Sequence, residues 1–66
     1  MYHAIYKRFD EYYIRHSADM DILLTTERNE WIVMQPTTDE VEAKKTLTEL
    51  VEEQRMQLAL AFQPNK

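Results

Sequence analysis

The chain contains no glycine, and this absence limits the turns that can connect its elements of secondary structure. Glycine adopts positive φ more readily than any other residue, and both central positions of a type I′ turn require positive φ. Without glycine, such positions fall to asparagine or aspartate. We therefore expect longer loops built on type I turns in preference to tight hairpins.

The first segment, YHAIYKRFDEYYIRH at positions 2–16, is rich in aromatic and basic residues. At 100° per residue its charged side chains share one face, and its apolar side chains, with the exception of Ile14, share the other. The run YYI would also suit a strand. The period predicts a helix over about 2–16 whose core-facing side consists of Tyr2, Ile5, Tyr6, Phe9, Tyr12, Tyr13 and His16.

Two short apolar runs follow, separated by the polar segment ERNE. In the first run Met20, Ile22 and Leu24 alternate with other residues, and the second extends from Trp31 to Met34, before Pro36. Alternating apolar runs around a short polar loop are typical of a β-hairpin. The pattern predicts a hairpin over about 20–35.

The last segment carries the clearest helix signal. In the sequence TTDE, Thr37 and Glu40 have the spacing of a capping box, which closes the first turn of a helix. Pro64 prevents a helix from continuing beyond it. We predict a helix over about 38–61 with an apolar stripe formed by Ala43, Leu47, Leu50, Val51, Gln54, Leu58 and Ala61.

These elements predict a single small α+β domain spanning residues 1–66, of the form αββα, with both helices packed on one face of the hairpin. A core of this size rarely supplies more than about 3 to 5 kcal/mol. The chain has no cysteine, which excludes disulfides and thiolate zinc sites. We therefore expect a homodimer to stabilise the fold, with the sheet extended across the dimer.

The charge of the chain is uneven. Residues 1–16 carry three basic and two acidic side chains, whereas the remainder carries five basic and ten acidic ones, for a net charge of −4. An acidic surface disfavours general phosphate binding, which depends on Lys and Arg. No apolar run is long enough to span a membrane or to direct export, so a cytoplasmic location is the default expectation.

The residues that would carry catalysis are largely missing. There is no glycine to cradle a phosphate, no thiol and a single serine. His16, Asp19 and Asp21 do not have the spacing of a metal site. We expect a protein that is not an enzyme, with no catalytic, cofactor-binding or metal-binding residues.

A non-catalytic protein-binding module is therefore the leading hypothesis: a homodimeric regulator, inhibitor or adaptor of the kind that compact bacterial or phage genes encode. Large aromatic side chains dominate the energetics of most interfaces. The predicted anchors are Tyr12, Tyr13, Trp31 and Met34. The predicted acidic face, which would steer a basic partner, consists of Glu42, Glu49, Glu52 and Glu53.

Two alternatives belong to other functional classes. A small dimeric nucleic-acid-binding regulator of the antitoxin type would use Lys7, Arg8 and Arg15 on the exposed side of the first helix, although the acidic remainder disfavours nucleic acid. An inhibitor that mimics nucleic acid would instead use the acidic face to occupy a basic site on another protein.

Overall fold

A computed structural model describes residues 1–61 as a three-stranded antiparallel sheet with two helices. The chain is an α+β domain, as predicted, but its elements do not follow the αββα order. The strands lie in the order β2-β1-β3, so β1 is central. The elements are β1 (Tyr2–Arg8), β2 (Glu11–Ser17), α1 (Met20–Leu24), β3 (Glu30–Thr37) and α2 (Glu40–Ala61).

The prediction of a helix over 2–16 is wrong, because this segment forms the β1–β2 hairpin. Its pairing runs without interruption from Tyr2 and Ser17 to Arg8 and Glu11. The central strand β1 is buried on both faces, so apolar residues occupy both odd and even positions and the alternation typical of a strand is lost. The preference of aromatic and β-branched residues for strands prevails.

The prediction of a hairpin over 20–35 is also wrong. Residues 20–24 form the short helix α1, whose first turn is capped by Asp19 accepting from the Asp21 amide at 2.9 Å. The alternating residues Met20, Ile22 and Leu24 are all exposed, and Leu23 is the buried residue of this helix. β3 pairs with β1 instead, because the central strand offers a second edge of hydrogen-bonding groups.

The long helix is confirmed. α2 begins two residues later than predicted, and its N-cap is Asp39, whose side chain accepts from the Glu42 amide at 3.0 Å. Thr37 takes a different role from the predicted cap, since its hydroxyl accepts from the Asp39 amide at 3.2 Å. The local signal thus located the helix start to within one turn.

The two helices cover opposite faces of the sheet, so the prediction that both pack on one face is also wrong. Leu23 of α1 packs against Ala4 and Tyr6, and the Tyr6 hydroxyl donates to the Leu23 carbonyl. α2 lies over β1 and β2 on the other face, where Ile5 is fully buried. The sheet is therefore the middle layer of three.

α2 extends past the sheet. Its 22 residues span roughly 33 Å, whereas the seven residues of β1 span roughly 23 Å. Every residue of α2 from Arg55 onwards is exposed. The radius of gyration is 14.1 Å, compared with about 11 Å for a compact domain of this length. The overhanging end leaves apolar surface of the helix uncovered.

The β1–β2 turn contains an unfavourable backbone conformation. Contrary to the expectation of longer loops, Phe9 and Asp10 form a two-residue connection, with Phe9 at φ 55°. An aromatic residue in the left-handed region costs about 1 to 2 kcal/mol, and Phe9 is mostly exposed.

We expect Phe9→Gly to stabilise the protein by about 1 kcal/mol in urea unfolding. Asp10→Gly is the matched control, because Asp10 does not have positive φ. If both variants changed the free energy of unfolding equally, the backbone of Phe9 would not be strained.

Candidate functional site

One face of β3 is left uncovered by the helices. Trp31 pairs with Lys7 and Met34 pairs with Ile5, so both project on the side of the sheet that carries α2. α2 packs over β1 and β2, which leaves this side of β3 open. Trp31 is 54% exposed, and Met34 is half-buried. The single tryptophan of the chain is thus exposed on a strand face that the helices do not cover.

Three glutamates follow one side of α2 and are all exposed: Glu42, Glu49 and Glu53. Their spacings of seven and four residues place them on one helical stripe, named here the acidic flank. The fourth predicted acidic residue, Glu52, lies further round the helix on the side away from the sheet. The underside of α2 includes the buried Ala43 and Gln54, whose amide donates to the Asp10 carbonyl at 2.7 Å.

The orientation of α2 follows from its two ends. The helix begins next to Thr37, the β3 residue that pairs with His3 at the start of β1. Further along, its residue Gln54 contacts the turn that follows β1. The helix therefore runs in the same direction as β1. This direction determines which side of the helix faces which strand.

The acidic flank lies on the β3 side of α2. Arg8 and Glu11 close a two-residue loop as a hydrogen-bonded pair, so Lys7 and Tyr12 form a non-hydrogen-bonded pair. In such pairs the Cα hydrogens of the two residues point towards each other. Because the residues are L-amino acids, the direction of the Cα–H bond determines on which side of β1 the strand β2 lies when the sheet is viewed from α2. A right-handed helix running along β1 then turns Glu53 towards β3 and the opposite flank towards β2.

A groove of about 430 Å³ lies between the far end of α2 and the sheet, lined in part by Tyr12, Lys7 and Glu53. The Lys7 ammonium group stands 5.3 Å from the centre of the Tyr12 ring. Lys7 is paired with Tyr12 on one side and with Trp31 on the other, so the three form a row across the sheet. Of the four predicted anchors, Tyr12, Trp31 and Met34 share one face.

Tyr13 is separated from the other predicted anchors. Consecutive residues of a strand point to opposite faces, so Tyr13 lies on the α1 side of the sheet. Its ring stacks on Tyr6 with centroids 5.7 Å apart, and it packs against the core around Leu23. We assign Tyr13 a structural role.

The three basic residues proposed for nucleic-acid binding lie in different surroundings, because the helix that would have aligned them is a hairpin. Lys7 lies on the α2 side over Tyr12. Arg8 is 3.8 Å from the Glu27 carboxylate. Arg15 is engaged inside the fold. The geometry provides no continuous basic face from these residues.

A partly buried ion pair, in which the Arg15 side chain is 33% exposed, joins β2 to β3 across the central strand. Arg15 contacts the Glu30 carboxylate at 3.1 Å, and the Glu30 side chain is only 2% exposed. The guanidinium group also lies 4.0 Å from the centre of the Tyr6 ring and donates to the Thr25 carbonyl. Glu30 additionally accepts from the Glu27 amide at 3.0 Å. Sequence reasoning missed this network, because no local pattern links residues fifteen positions apart.

The two histidines pair with each other. His3 is buried and faces His16 across the hairpin, with Nδ1 atoms 2.6 Å apart, so one ring donates and the other accepts. Asp19, which lies close to His16 in the sequence, caps α1 by accepting from the Asp21 amide. Within residues 1–61 no three histidine or carboxylate side chains are arranged to hold a metal ion.

Comparisons with known proteins do not identify a relative. No family model, curated protein or solved structure matches the chain. In the part of the chain that the structure describes, no helix has the length and apolar character needed to cross a membrane.

Proposed function

We propose that the protein is a non-catalytic protein-binding module that acts as a homodimer and captures a basic segment of another protein. The observation that carries this proposal is the bare face of β3 beside the acidic flank of α2. We name this contact region the β3 surface; it consists of Trp31, Met34 and the acidic flank.

The β3 surface combines the two contributions that such a partner needs. Trp31 offers a large exposed ring, and lysine or arginine side chains bind to the face of an indole through cation–π attraction. The acidic flank supplies a negative potential that accelerates the approach of a basic partner. The positive charge of Lys7 reduces this negative potential only weakly, since its ammonium group lies over Tyr12.

A pull-down with tagged protein tests the proposal. Lysate of the source cells is divided into nuclease-treated and untreated halves, and we expect the same stoichiometric protein from both. Replacing Trp31→Ala should weaken capture of that protein by at least about thirtyfold, as expected for a central aromatic anchor. The chain should stay folded, because more than half of the Trp31 side chain is already exposed.

Ile22→Ala is the matched control for this experiment. Ile22 is an exposed apolar residue of α1, on the other side of the sheet, so its loss should leave capture unchanged. The single tryptophan provides a second readout, since binding of the purified partner should change the emission of Trp31 directly. Unfolding of Trp31→Ala would mean that Trp31 is a core residue and would refute its assignment to the surface.

The charge of the surface is tested separately by the double variant Glu49→Lys, Glu53→Lys. We expect slower association and a weaker dependence of binding on salt, because the steering field is reduced. If these changes abolish capture and Trp31→Ala does not, the protein acts as a nucleic-acid mimic. If nuclease abolishes capture, the protein binds nucleic acid and the proposal is wrong.

A further inference from the structure

The two edges of the sheet differ in how they are protected against pairing. β3 carries register shifts opposite Ile5 and contains Pro36, and both features discourage a further strand from adding to it. β2 is regular over all seven residues and contains no proline. The peptide groups of Tyr12, Ile14 and His16 point outwards, because these residues form non-hydrogen-bonded pairs with β1. β2 is therefore a ready template for another strand.

The residues of β2 are complementary to a second copy of themselves. Antiparallel pairing centred on Ile14 places Tyr12 opposite the partner's His16 and Tyr13 opposite the partner's Arg15. Glu11 then faces the partner's Ser17, so no two like charges are opposed. Tyrosine beside arginine and tyrosine beside histidine are favourable cross-strand neighbours.

The position of α2 suits the same arrangement. α2 packs on β1 and β2 to the same extent, so its axis lies above the line midway between them. Strands are spaced about 4.8 Å apart, so a two-fold axis beyond β2 would place the two α2 helices about 10 Å apart. This is the distance at which helices pack against each other, about 8 to 10 Å. Pairing of the strands would therefore bring the helices into contact.

The flank of α2 that would face the partner helix is apolar. It lies on the β2 side of the helix, opposite the acidic flank, and is formed by Leu47, Val51 and Leu58. Leu47 and Val51 line a groove of about 340 Å³, and Thr48, Glu52 and Arg55 also line it. A surface with an apolar centre and a polar rim has the composition of a protein interface.

The charges on this flank complement each other in an antiparallel pair. Residue 48 lies close to the midpoint between Ala43, the buried residue of α2, and Gln54, which donates to the Asp10 carbonyl. Antiparallel packing about this point places Lys44 opposite the partner's Glu52 and places Arg55 within one residue of the partner's Glu40. The acidic flanks face away from each other, so they do not oppose association.

From these features we infer that a second copy of the chain docks on the β2 edge and on the Leu47–Val51 flank, forming a continuous six-stranded sheet with two packed α2 helices. This inference rests on the homodimer part of the proposed function and specifies its interface. It leaves the β3 surface of each copy free at the two outer edges of the dimer.

The absence of cysteine makes the interface testable by single-cysteine crosslinking. Thr48→Cys would lie near the two-fold axis, whereas Glu49→Cys lies on the acidic flank and is the matched control; both sites are exposed. With a short bismaleimide linker we expect a covalent dimer from Thr48→Cys and at least about tenfold less from Glu49→Cys. Sedimentation equilibrium of the unmodified chain should give the mass of a dimer.

A monomer at micromolar concentration would overturn the inference, and so would a dimer in which both cysteines react equally or neither reacts. Dimerisation through another surface, such as β3, would produce the last result. Capture of a partner through Trp31 is measured independently. The experiments can therefore refute the dimer interface while supporting partner binding, or refute partner binding while supporting the dimer interface.

Charge reversal provides the second test of the interface. Lys44→Glu and Glu52→Lys should each weaken the dimer about tenfold, because each creates two symmetry-related repulsions at the rim of the contact. The double variant restores opposite charges and should recover most of the affinity. Lys44 also contacts Glu40 within its own chain at 3.7 Å, but both side chains are exposed. Absence of recovery in the double variant would contradict the predicted pairing.

Discussion

Replacing Glu30→Ala is expected to destabilise the protein by about 3 kcal/mol, because it removes a buried carboxylate and leaves the partly buried Arg15 without its counter-charge. The Glu30 carboxylate accepts from Arg15 at 3.1 Å and from the Glu27 amide at 3.0 Å. Its removal leaves Arg15 against the Tyr6 ring without a counter-charge. A domain of this size has a margin of only about 3 to 5 kcal/mol, so the variant should be substantially unfolded in dilute solution.

Glu27→Ala is the matched control, since it removes the same chemical group three residues earlier in the chain. Glu27 is 3.8 Å from Arg8, and both side chains are about half exposed or more. Such surface pairs contribute at most about 1 kcal/mol. Urea unfolding followed by circular dichroism measures both variants. Equal destabilisation would show that Glu30 is not buried as described and would remove the proposed link between β2 and β3.

Replacing Leu23→Ala is expected to cost about 3 kcal/mol, through lost burial and the cavity left behind. Leu23 is 1% exposed and packs against Ala4 and Tyr6. It is the buried residue of the five-residue helix α1, which is too short to be stable without this contact. We therefore expect α1 to detach from the sheet and the exposure of Tyr6 to increase.

Ile22→Ala provides the comparison for Leu23, because the two residues are neighbours of the same size and Ile22 is 57% exposed. Its loss should change the free energy of unfolding by less than about 1 kcal/mol. Hydrogen exchange of the α1 amides and urea unfolding distinguish the two variants. A similar cost for both would mean that α1 packs through a different side.

The two destabilising variants also bear on function. Neither Glu30 nor Leu23 belongs to the β3 surface, yet Glu30 is the first residue of β3 and holds the strand next to Trp31. Loss of partner capture in Glu30→Ala should therefore follow the loss of fold, with the same dependence on temperature. Trp31→Ala should differ from it by losing capture while the unfolding curve stays nearly unchanged.

α2 shows which signals the sequence expresses locally. The start of the helix requires a short polar side chain followed by acidic residues, and the sequence TTDE provides them. The length of the helix requires an apolar stripe with a period of 3.6 residues, and the segment after TTDE contains one. Three of the four residues predicted for the acidic face, Glu42, Glu49 and Glu53, lie on one flank because of the helical period alone, whereas Glu52 lies further round the helix. These features depend on neighbours within one or two turns, so no tertiary information was needed.

The β1–β2 hairpin and the pairing of β3 depended on the tertiary structure. Residues 2–8 fit a helical period by chance, and only burial on both faces of the central strand explains their pattern. The Arg15–Glu30 pair, the separation of Tyr12 from Tyr13 and the bare face at Trp31 all follow from the strand order β2-β1-β3. The physical reason is that hydrogen bonding between strands joins residues distant in sequence, and local propensity carries no record of which strand will be the neighbour.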